Sequence, residues 1–393
     1  MAAGEWDEVE LGEVAEHVKR TVTLTDDDEY LRLTIRLRGQ GIGVRDRVPG
    51  TRIKTKKQFL VRPDDLVVAE IDAKVGGFGI APTECEGAIV SNHYFVFELD
   101  RERVLPEWVD LLCRANHFTV QVEAQGSTNY AAVRPAQVLV YTLPLPSLDE
   151  QQQIVAVVAA LDDTIASYEE ERSAARSLLA AAREHMVRDC EPRRLGDLVS
   201  GIEAGKSPKA FDRPPRDGER AVLKVSAIRP GDFRGAESKA VPEDVVFPGH
   251  ALVRRGDVLI GRANTRELVG SVCLVEGVAD NLYLSDKTLR LIPKNDLVDR
   301  TFLAHVAASS AVRQQIEDAA TGTSESMRNI SQKVILDLDV PVPESIGEQQ
   351  RIAERLDTLA GAVRRANALL VHARSLRSSI IDSLLRRASD PRL

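Results

Sequence analysis

Cysteine is scarce and scattered. Cys85, Cys113, Cys190 and Cys273 form no C-x-x-C pair and have no histidine at zinc-ligand spacing. That excludes a zinc module and leaves ordinary reduced core thiols. Long apolar runs are missing too, none approaching about 18 residues, and the acidic stretch Met1 to Glu10 does not resemble a signal peptide. A soluble, cytoplasmic protein is expected. The seven histidines show no metal-ligand or triad spacing, and neither a G-x-S-x-G elbow nor an Asn-Pro-Pro-Tyr motif occurs.

Two passages approach known chemistry and fall short. Gly201-Ile202-Glu203-Ala204-Gly205-Lys206-Ser207 is one residue short of a phosphate-binding P-loop, with Ser200 where the first glycine should stand. Pro63-Asp64 with Asp72-Ala73-Lys74 echoes metal-dependent nucleases, in which two carboxylates hold Mg²⁺ and a lysine assists. Asp65, however, fits better as a turn residue before a buried strand. No catalytic residue, metal or cofactor is therefore expected on this chain.

What the chain does have is an internal repeat. Leu143-Pro144-Leu145-Pro146-Ser147-Leu148-Asp149-Glu150-Gln151-Gln152-Gln153-Ile154 is answered by Val340-Pro341-Val342-Pro343-Glu344-Ser345-Ile346-Gly347-Glu348-Gln349-Gln350-Arg351-Ile352. Leu11-Gly12-Glu13 returns as Leu195-Gly196-Asp197, Asp65-Leu66-Val67-Val68 as Asp257-Val258-Leu259-Ile260, and Gly126-Ser127-Thr128 as Gly322-Thr323-Ser324. The offset grows from 184 through 192 and 196 to 198, then stays at 198. The chain is thus one unit made twice, with insertions confined to the globular part of the second copy.

After each Glu-Gln-Gln a 4-3 ladder begins. It runs Ile154, Val158, Leu161, Ile165, Tyr168, Arg172, Ala175, Leu179, Ala182, Met186, and again Ile352, Leu356, Leu359, Val363, Ala366, Leu370, Ala373, Arg377, Ile380, Leu384. More than four heptads without internal proline predict two coiled-coil helices, each roughly 55 to 60 Å long at about 1.5 Å per residue. Pro144 and Pro146 hold the chain extended ahead of the first helix, and Ser147 or Asp149 caps it. The formal net charge of −8 divides into −6 for residues 1 to 146, −6 for 147 to 192, +1 for 193 to 343 and +3 for 344 to 393. An acidic and a basic helix of matched length are suited to pair antiparallel within the chain.

The four segments are expected as domains: 1–146 and 193–343 globular, 147–192 and 344–393 helical. The globular ones are read as α+β with mostly antiparallel strands. Strands are expected at Tyr30–Arg36, Asp65–Ile71, His93–Leu99 and Gln137–Thr142, then at Ala221–Ala227, Asp257–Gly261, Asn281–Ile292 and Ile335–Val340. Helical stretches are expected at Glu107–Val122 and Asp299–Asp318. Basic and amide residues collect in the loops. The first copy offers Arg45, Arg47, Arg52, Lys54, Lys56, Lys57, Lys74 and Ser127-Thr128-Asn129-Tyr130; the second offers Lys206, Lys209, Arg213, Arg262, Asn264, Thr265, Arg266, Lys287, Thr323, Ser324 and Arg328. Such side chains reach phosphates and read purine edges, so these are the candidate DNA-binding residues.

The order of globular segment, Pro-x-Pro and Glu-Gln-Gln helix, globular segment and helix again resembles the specificity subunit of type I restriction-modification enzymes over essentially the whole chain. The duplicated helix junction, the Gly-Ser-Thr and Gly-Thr-Ser turns, and Gly256-Asp257-Val258-Leu259-Ile260 leading to Arg262-Ala263-Asn264 carry the likeness. The resemblance implies a non-catalytic subunit with two target-recognition domains related by a pseudo-two-fold repeat, each reading half of a bipartite double-stranded DNA target. It implies that the helices set the spacer and dock two modification (methyltransferase) subunits, the partner-docking and coiled-coil positions being Glu150, Gln151, Gln152, Ile154, Leu161, Ile165 and Leu179, and Glu348, Gln349, Gln350, Ile352, Leu359, Val363 and Ile380. Restriction subunits would join that core in phage defence, and S-adenosylmethionine, Mg²⁺ and ATP would be bound by the partners. The weak positive charge points to tight DNA binding only in the assembled complex. Competing readings are a related multi-subunit defence system, a coiled-coil protein scaffold, and a nuclease built on Asp64, Asp72 and Lys74.

Overall fold

The computed structural model describes residues 6–122, 132–278, 280–324 and 327–389, with the backbone alone at 323, 324 and 384–389. The chain forms two compact units, Met1–Ser167 with Leu370–Leu393, and Tyr168–Leu369. The long helices run over Leu148–Val187 and Ile346–Ser389, so each contributes residues to both units. All described ladder positions, Arg172 and Arg377 included, are buried or half-buried.

In the first unit, Asp7–Glu10 pairs antiparallel with Thr142–Leu145, placing Pro144 opposite Glu8. A proline donates no ladder hydrogen bond, and a two-stranded ribbon tolerates it. A buried antiparallel sheet follows the order Ala15–Val18, Tyr94–Leu99, Leu66–Ala69, Phe78–Ile80. A second sheet orders Thr21–Thr23, Lys57–Leu60, Ile89–Val90, Glu29–Ile35 and Ile42–Pro49. The unbroken apolar run at Leu66–Ala69 serves two cores. Leu66 and Val68 face Phe78, Phe97, Trp108 and Leu112, while Val67 and Ala69 face Leu33, Val61 and Val90. A strand buried on both faces reads as a continuous apolar run because its side chains alternate between the two sides.

The second unit repeats that sheet. Val199–Ala204, Thr288–Pro293, Val258–Gly261 and Val272–Leu274 stand in the same order, all antiparallel. Val258 and Ile260 enter one core and Leu259 the other. Pro192–Arg194 pairs with Asp339–Pro341 as its counterpart does in the first unit. The repeated Leu-Gly has a physical reason. Leu11 and Leu195 donate their N–H to the carbonyls of Tyr141 (2.7 Å) and Leu338 (2.8 Å), and a Cβ on Gly12 or Gly196 would lie 3.2 or 3.1 Å from the carbonyl oxygen of Leu139 or Leu336.

Two expected strands prove to be short helices. Gln137–Thr142 is replaced by a helix at Pro135–Leu139 followed by the strand Thr142–Leu145, and Ile335–Val340 by a helix at Gln332–Leu336 followed by Asp339–Pro341. Pro135 occupies the first helical turn, and Ser331 caps its helix by accepting from the Val334 N–H. These start signals outweigh the β preference of the valines and isoleucine that follow. The expected strand Asn281–Ile292 is split by a turn in which the Ser285 N–H donates to Thr288 Oγ1 at 2.7 Å. Asp299, accepting from the Thr301 and Phe302 N–H groups, opens a helix that ends at Val306, and a second begins at Ser310.

Candidate nucleic-acid interface

The second unit gathers candidates that lie far apart in sequence. Ala263–Asn264, Met327–Asn329 and Thr321–Ser324 form a small antiparallel ribbon in which Asn264 stands opposite Arg328. The Arg262 N–H donates to the Lys287 carbonyl at 3.0 Å, and the Ile330 N–H to the Arg262 carbonyl at 2.9 Å. Ser207 bonds the Asp286 carboxylate, tying Lys206 to the same edge. Lys206, Lys287 and Arg266 are exposed, and Arg262, Asn264 and Thr265 half-buried. Asn264 Oδ1 accepts from the Thr265 N–H at 2.9 Å, which orients its amide. Of Thr323 and Ser324 the strand position is known, and of Arg328 a bond from Nη1 to the Gly322 carbonyl at 3.2 Å.

Lys209 is exposed on the proline-rich loop, and Arg213 on that loop is committed internally. It grips Glu219 through two bonds of 2.6 and 2.8 Å and lies 5.1 Å over the Phe211 ring. Together with the Arg216 N–H it holds the Glu219 carboxyl at about 2, far below the usual carboxylate range. Beneath the Arg262 segment, buried Arg290 contacts the carboxylates of Glu203 (2.7 Å) and Asp257 (2.6 Å) and the carbonyls of His250 and Leu252. It ties the strand leading to Arg262 to its neighbours. Nothing in the apolar run Thr288–Pro293 singled it out in the sequence.

In the first unit, Arg45 and Arg47 are exposed on the edge strand Ile42–Pro49, Arg52 and Lys54 on the following loop, and Lys57 on Lys57–Leu60. Acids offset part of this charge: Lys56 pairs with Asp26, Arg45 lies 3.9 Å from Asp46, and Asp46 is gripped by Arg32. Lys74 is exposed on the turn Ala73–Val75. Ser127, Thr128, Asn129 and Tyr130 lie outside the described residues. The structure adds a recess of mixed polarity, about 360 Å³, lined by His17, Lys19, Phe59, Asn92, Arg134 and the pair His93 and Glu70 (2.7 Å) among others. Burial, then the nearby Lys19 charge, lowers the His17 pKa, so its ring favours the neutral state. These residues are spread from 17 to 134 and belong to no motif.

The decoys resolve into structure. Asp64 pairs with Arg101 at 2.7 Å and Asp65 with Arg20 at 2.6 Å, while the Asp65 carboxylate also accepts from the Arg62 N–H. The P-loop-like segment is mostly strand. Among the described residues no cluster of His, Cys, Asp and Glu is suited to a metal, and no helix is long and apolar enough to cross a membrane.

At the helix junctions the repeated glutamine has a shared role. Gln151 Oε1 accepts from the Leu105 N–H (2.8 Å), and its Nε2 donates to the carbonyls of Arg103 (3.0 Å) and Pro146 (2.8 Å). Gln349 does the same with the Asp299 N–H (2.8 Å) and the carbonyls of Leu297 (3.1 Å) and Pro343 (2.8 Å). Both side chains are 0% exposed. Glu150 completes a capping box with Ser147. Among the proposed docking residues, Glu150, Gln152, Glu348 and Gln350 face solvent, while Ile154, Leu161, Ile165, Leu179, Ile352, Leu359, Val363 and Ile380 are turned inward to varying degrees.

The family described as "Type I restriction modification DNA specificity domain" matches residues 3–175 and 188–368. The specificity subunit of the type I restriction enzyme EcoEI from Escherichia coli is 28% identical over 151 residues, which are 38% of this chain and 25% of that relative. The S subunit of a type I restriction-modification system from M. genitalium is similar over 96% of this chain and 95% of that one, at 12% identity and a TM-score of 0.57. A solved chain described as "Structural basis underlying complex assembly and conformational transition of the type I R-M system" is similar over 97% of both chains, at 22% identity and a TM-score of 0.53. These structural likenesses bear on the fold, and the family match covers both copies of the repeat. The chain therefore belongs to the type I restriction modification DNA specificity family and carries that family's domain twice.

Proposed function

We propose that this chain is the non-catalytic, sequence-reading subunit of a cytoplasmic type I restriction-modification complex, each globular domain reading half of a bipartite duplex target. The observation that carries this reading is the convergence of Lys206, Arg262, Asn264, Thr265 and Lys287 on one ribbon edge of the second unit. A fork of guanidinium donors beside an oriented amide is the chemistry that reads guanine and adenine edges in the major groove. Partly neutralised basic loops in the first unit favour DNA engagement within an assembly, where partners add phosphate contacts.

The long helices act as an antiparallel coiled-coil ruler with pseudo-two-fold symmetry. Supporting this, Asp162 pairs with Arg377 in the first unit, and Leu179 lines the same cleft as Ala360 and Val363 in the second. Each pairing joins a residue near one helix's start to one nearer the other's end. Two modification subunits dock on the helices' outer faces. Leu178 and Leu376 occupy the same position of the repeat, 198 residues apart, and are 57% and 44% exposed. Two equal apolar contacts suit two equal partners. S-adenosylmethionine, Mg²⁺ and ATP belong to the modification and restriction subunits.

In vitro selection of duplexes by the chain co-expressed with modification subunits tests the reading. The expected product is two short specified elements separated by an unspecified gap. Arg262→Ala with Asn264→Ala relaxes one element at roughly 1 to 3 kcal/mol per lost base contact and leaves the other intact. Loss of preference in both elements, or none in either, contradicts one half-site per domain.

A further inference from the structure

The second unit carries a basic cleft that the candidate reading loops do not include. It has a volume of about 570 Å³ and lies among Arg176, Leu179 and Arg183 of the first long helix, Ala360 to Asn367 of the second, and the hairpin Ile228–Phe233, with Leu268 completing the wall. Five guanidinium groups line it, those of Arg176, Arg183, Arg229, Arg234 and Arg364, against one carboxylate, Asp232. Asp232 already holds Arg234 at 2.8 Å, and Arg364 reaches out to Glu276 at 3.1 Å.

The remaining three arginines make no ion pair within 4.0 Å among the described residues, and Arg183 is 8% exposed. Neither its Nε nor that of Arg229 has a hydrogen-bond partner there. Glu184, beside it in sequence, has its carboxylate accepting from the Ser310 N–H at 2.5 Å. The backbone makes room for this buried charge. Gly231 sits in the left-handed region at φ 70°, and a Cβ on it would lie 3.1 Å from Arg183 Nη2. Glu184 acts on Arg183 only from beyond ion-pair distance, so the withdrawn guanidinium stays costly, and an anion that completes its hydrogen bonds offsets that cost. Guanidinium forks match phosphate oxygens bidentately.

We propose that this cleft seats a backbone phosphate of duplex DNA, outside the bases that the Arg262–Arg266 loop reads; this rests on the DNA-reading function proposed above. Continuity with that loop favours DNA over an acidic protein segment. Leu268 donates its N–H to the Thr265 carbonyl at 3.0 Å, and the Gly231 N–H donates to the Val272 carbonyl at 2.8 Å. Asn264 Nδ2 also reaches the Val225 carbonyl, just before the hairpin, at 3.5 Å. The contact is blind to sequence and depends on salt.

Anisotropy titrations of a labelled mixed-sequence duplex over a salt series test this, using the full chain alone and with co-expressed modification subunits. Each phosphate contact contributes about 0.9 to the slope of log affinity against log salt. Arg176→Gln with Arg229→Gln should lower the slope by about 0.9, the loss of one phosphate contact, equally on every duplex, and Arg183→Gln should lower it by no more than that. Arg351→Gln, exposed on the second long helix outside the cleft, should leave it unchanged, and melting curves identify any variant that fails to fold. A wild-type slope in the folded Arg176/Arg229 double variant overturns the proposal. So does a wild-type slope accompanied by loss of modification subunits, which would assign the cleft to an acidic protein segment. A wild-type chain that binds no duplex in either form overturns the DNA-reading function itself.

Discussion

At the scale of single residues, the two glutamine locks carry the most consequence. Each amide satisfies three backbone groups where a globular domain meets the start of its long helix. Gln151→Ala leaves those groups buried and unpaired, at a cost of about 2 to 3 kcal/mol, and Gln349→Ala matches it. Chemical denaturation measures both; near-neutral values would mean that water replaces the amide. Glu219 gives a pH signature. Its folded pKa is depressed to about 2, so its contribution to holding the proline-rich loop is complete above its usual value near 4.5 and fades as pH falls toward 2. Carbon-detected titration of the Glu219 carboxyl should find a midpoint near 2, and one near 4.5 would show that Arg213 is free. The repeat made the two glutamines conspicuous, yet their inward direction was hidden, because in sequence Gln151 and Gln152 are equivalent neighbours. Arg290 and the cleft arginines were invisible for a related reason: their roles depend on what faces them from distant segments.

At the scale of elements, the long helices were the most legible part of the chain. A ladder of apolar residues spaced four and three apart has one helical solution, and all its described positions are withdrawn from solvent. Short elements were less legible. Val138 and Ile335 read as strand residues, but Pro135 and Ser331 open helices in front of them and each side chain is buried from a single helical turn. The strand Leu66–Ala69 was readable because its run is wholly apolar. On the helices' outer faces, Leu178→Glu and Leu376→Glu should each weaken one modification-subunit contact. Losing a buried leucine costs about 1.5 to 3 kcal/mol, or roughly 10- to 100-fold in affinity. Co-purification stoichiometry should fall from two partners to one for either variant and to none for both. Unchanged stoichiometry would move the docking face elsewhere.

At the scale of the whole molecule, the repeat separates what is held constant from what varies. Its offset drifts through the globular segments, to which the proposed function assigns two different half-sites, and stays at 198 along the helices, to which it assigns equal partners and one distance. The order of the four-stranded sheet is the same in both copies, while the remaining sheets and the loops around them differ. Folding physics fixes the first and leaves the second free, which is why the frame was readable and the residue-to-base mapping was not. Under the proposed function, the helices measure the gap between the half-sites. Inserting four residues into each long helix adds roughly 6 Å at about 1.5 Å per residue, or about two base pairs at ~3.4 Å per step. Modification sequencing of DNA from cells carrying the inserted chain and its modification subunits should find the same two half-sites with a gap about two base pairs longer. An unchanged gap would contradict the ruler.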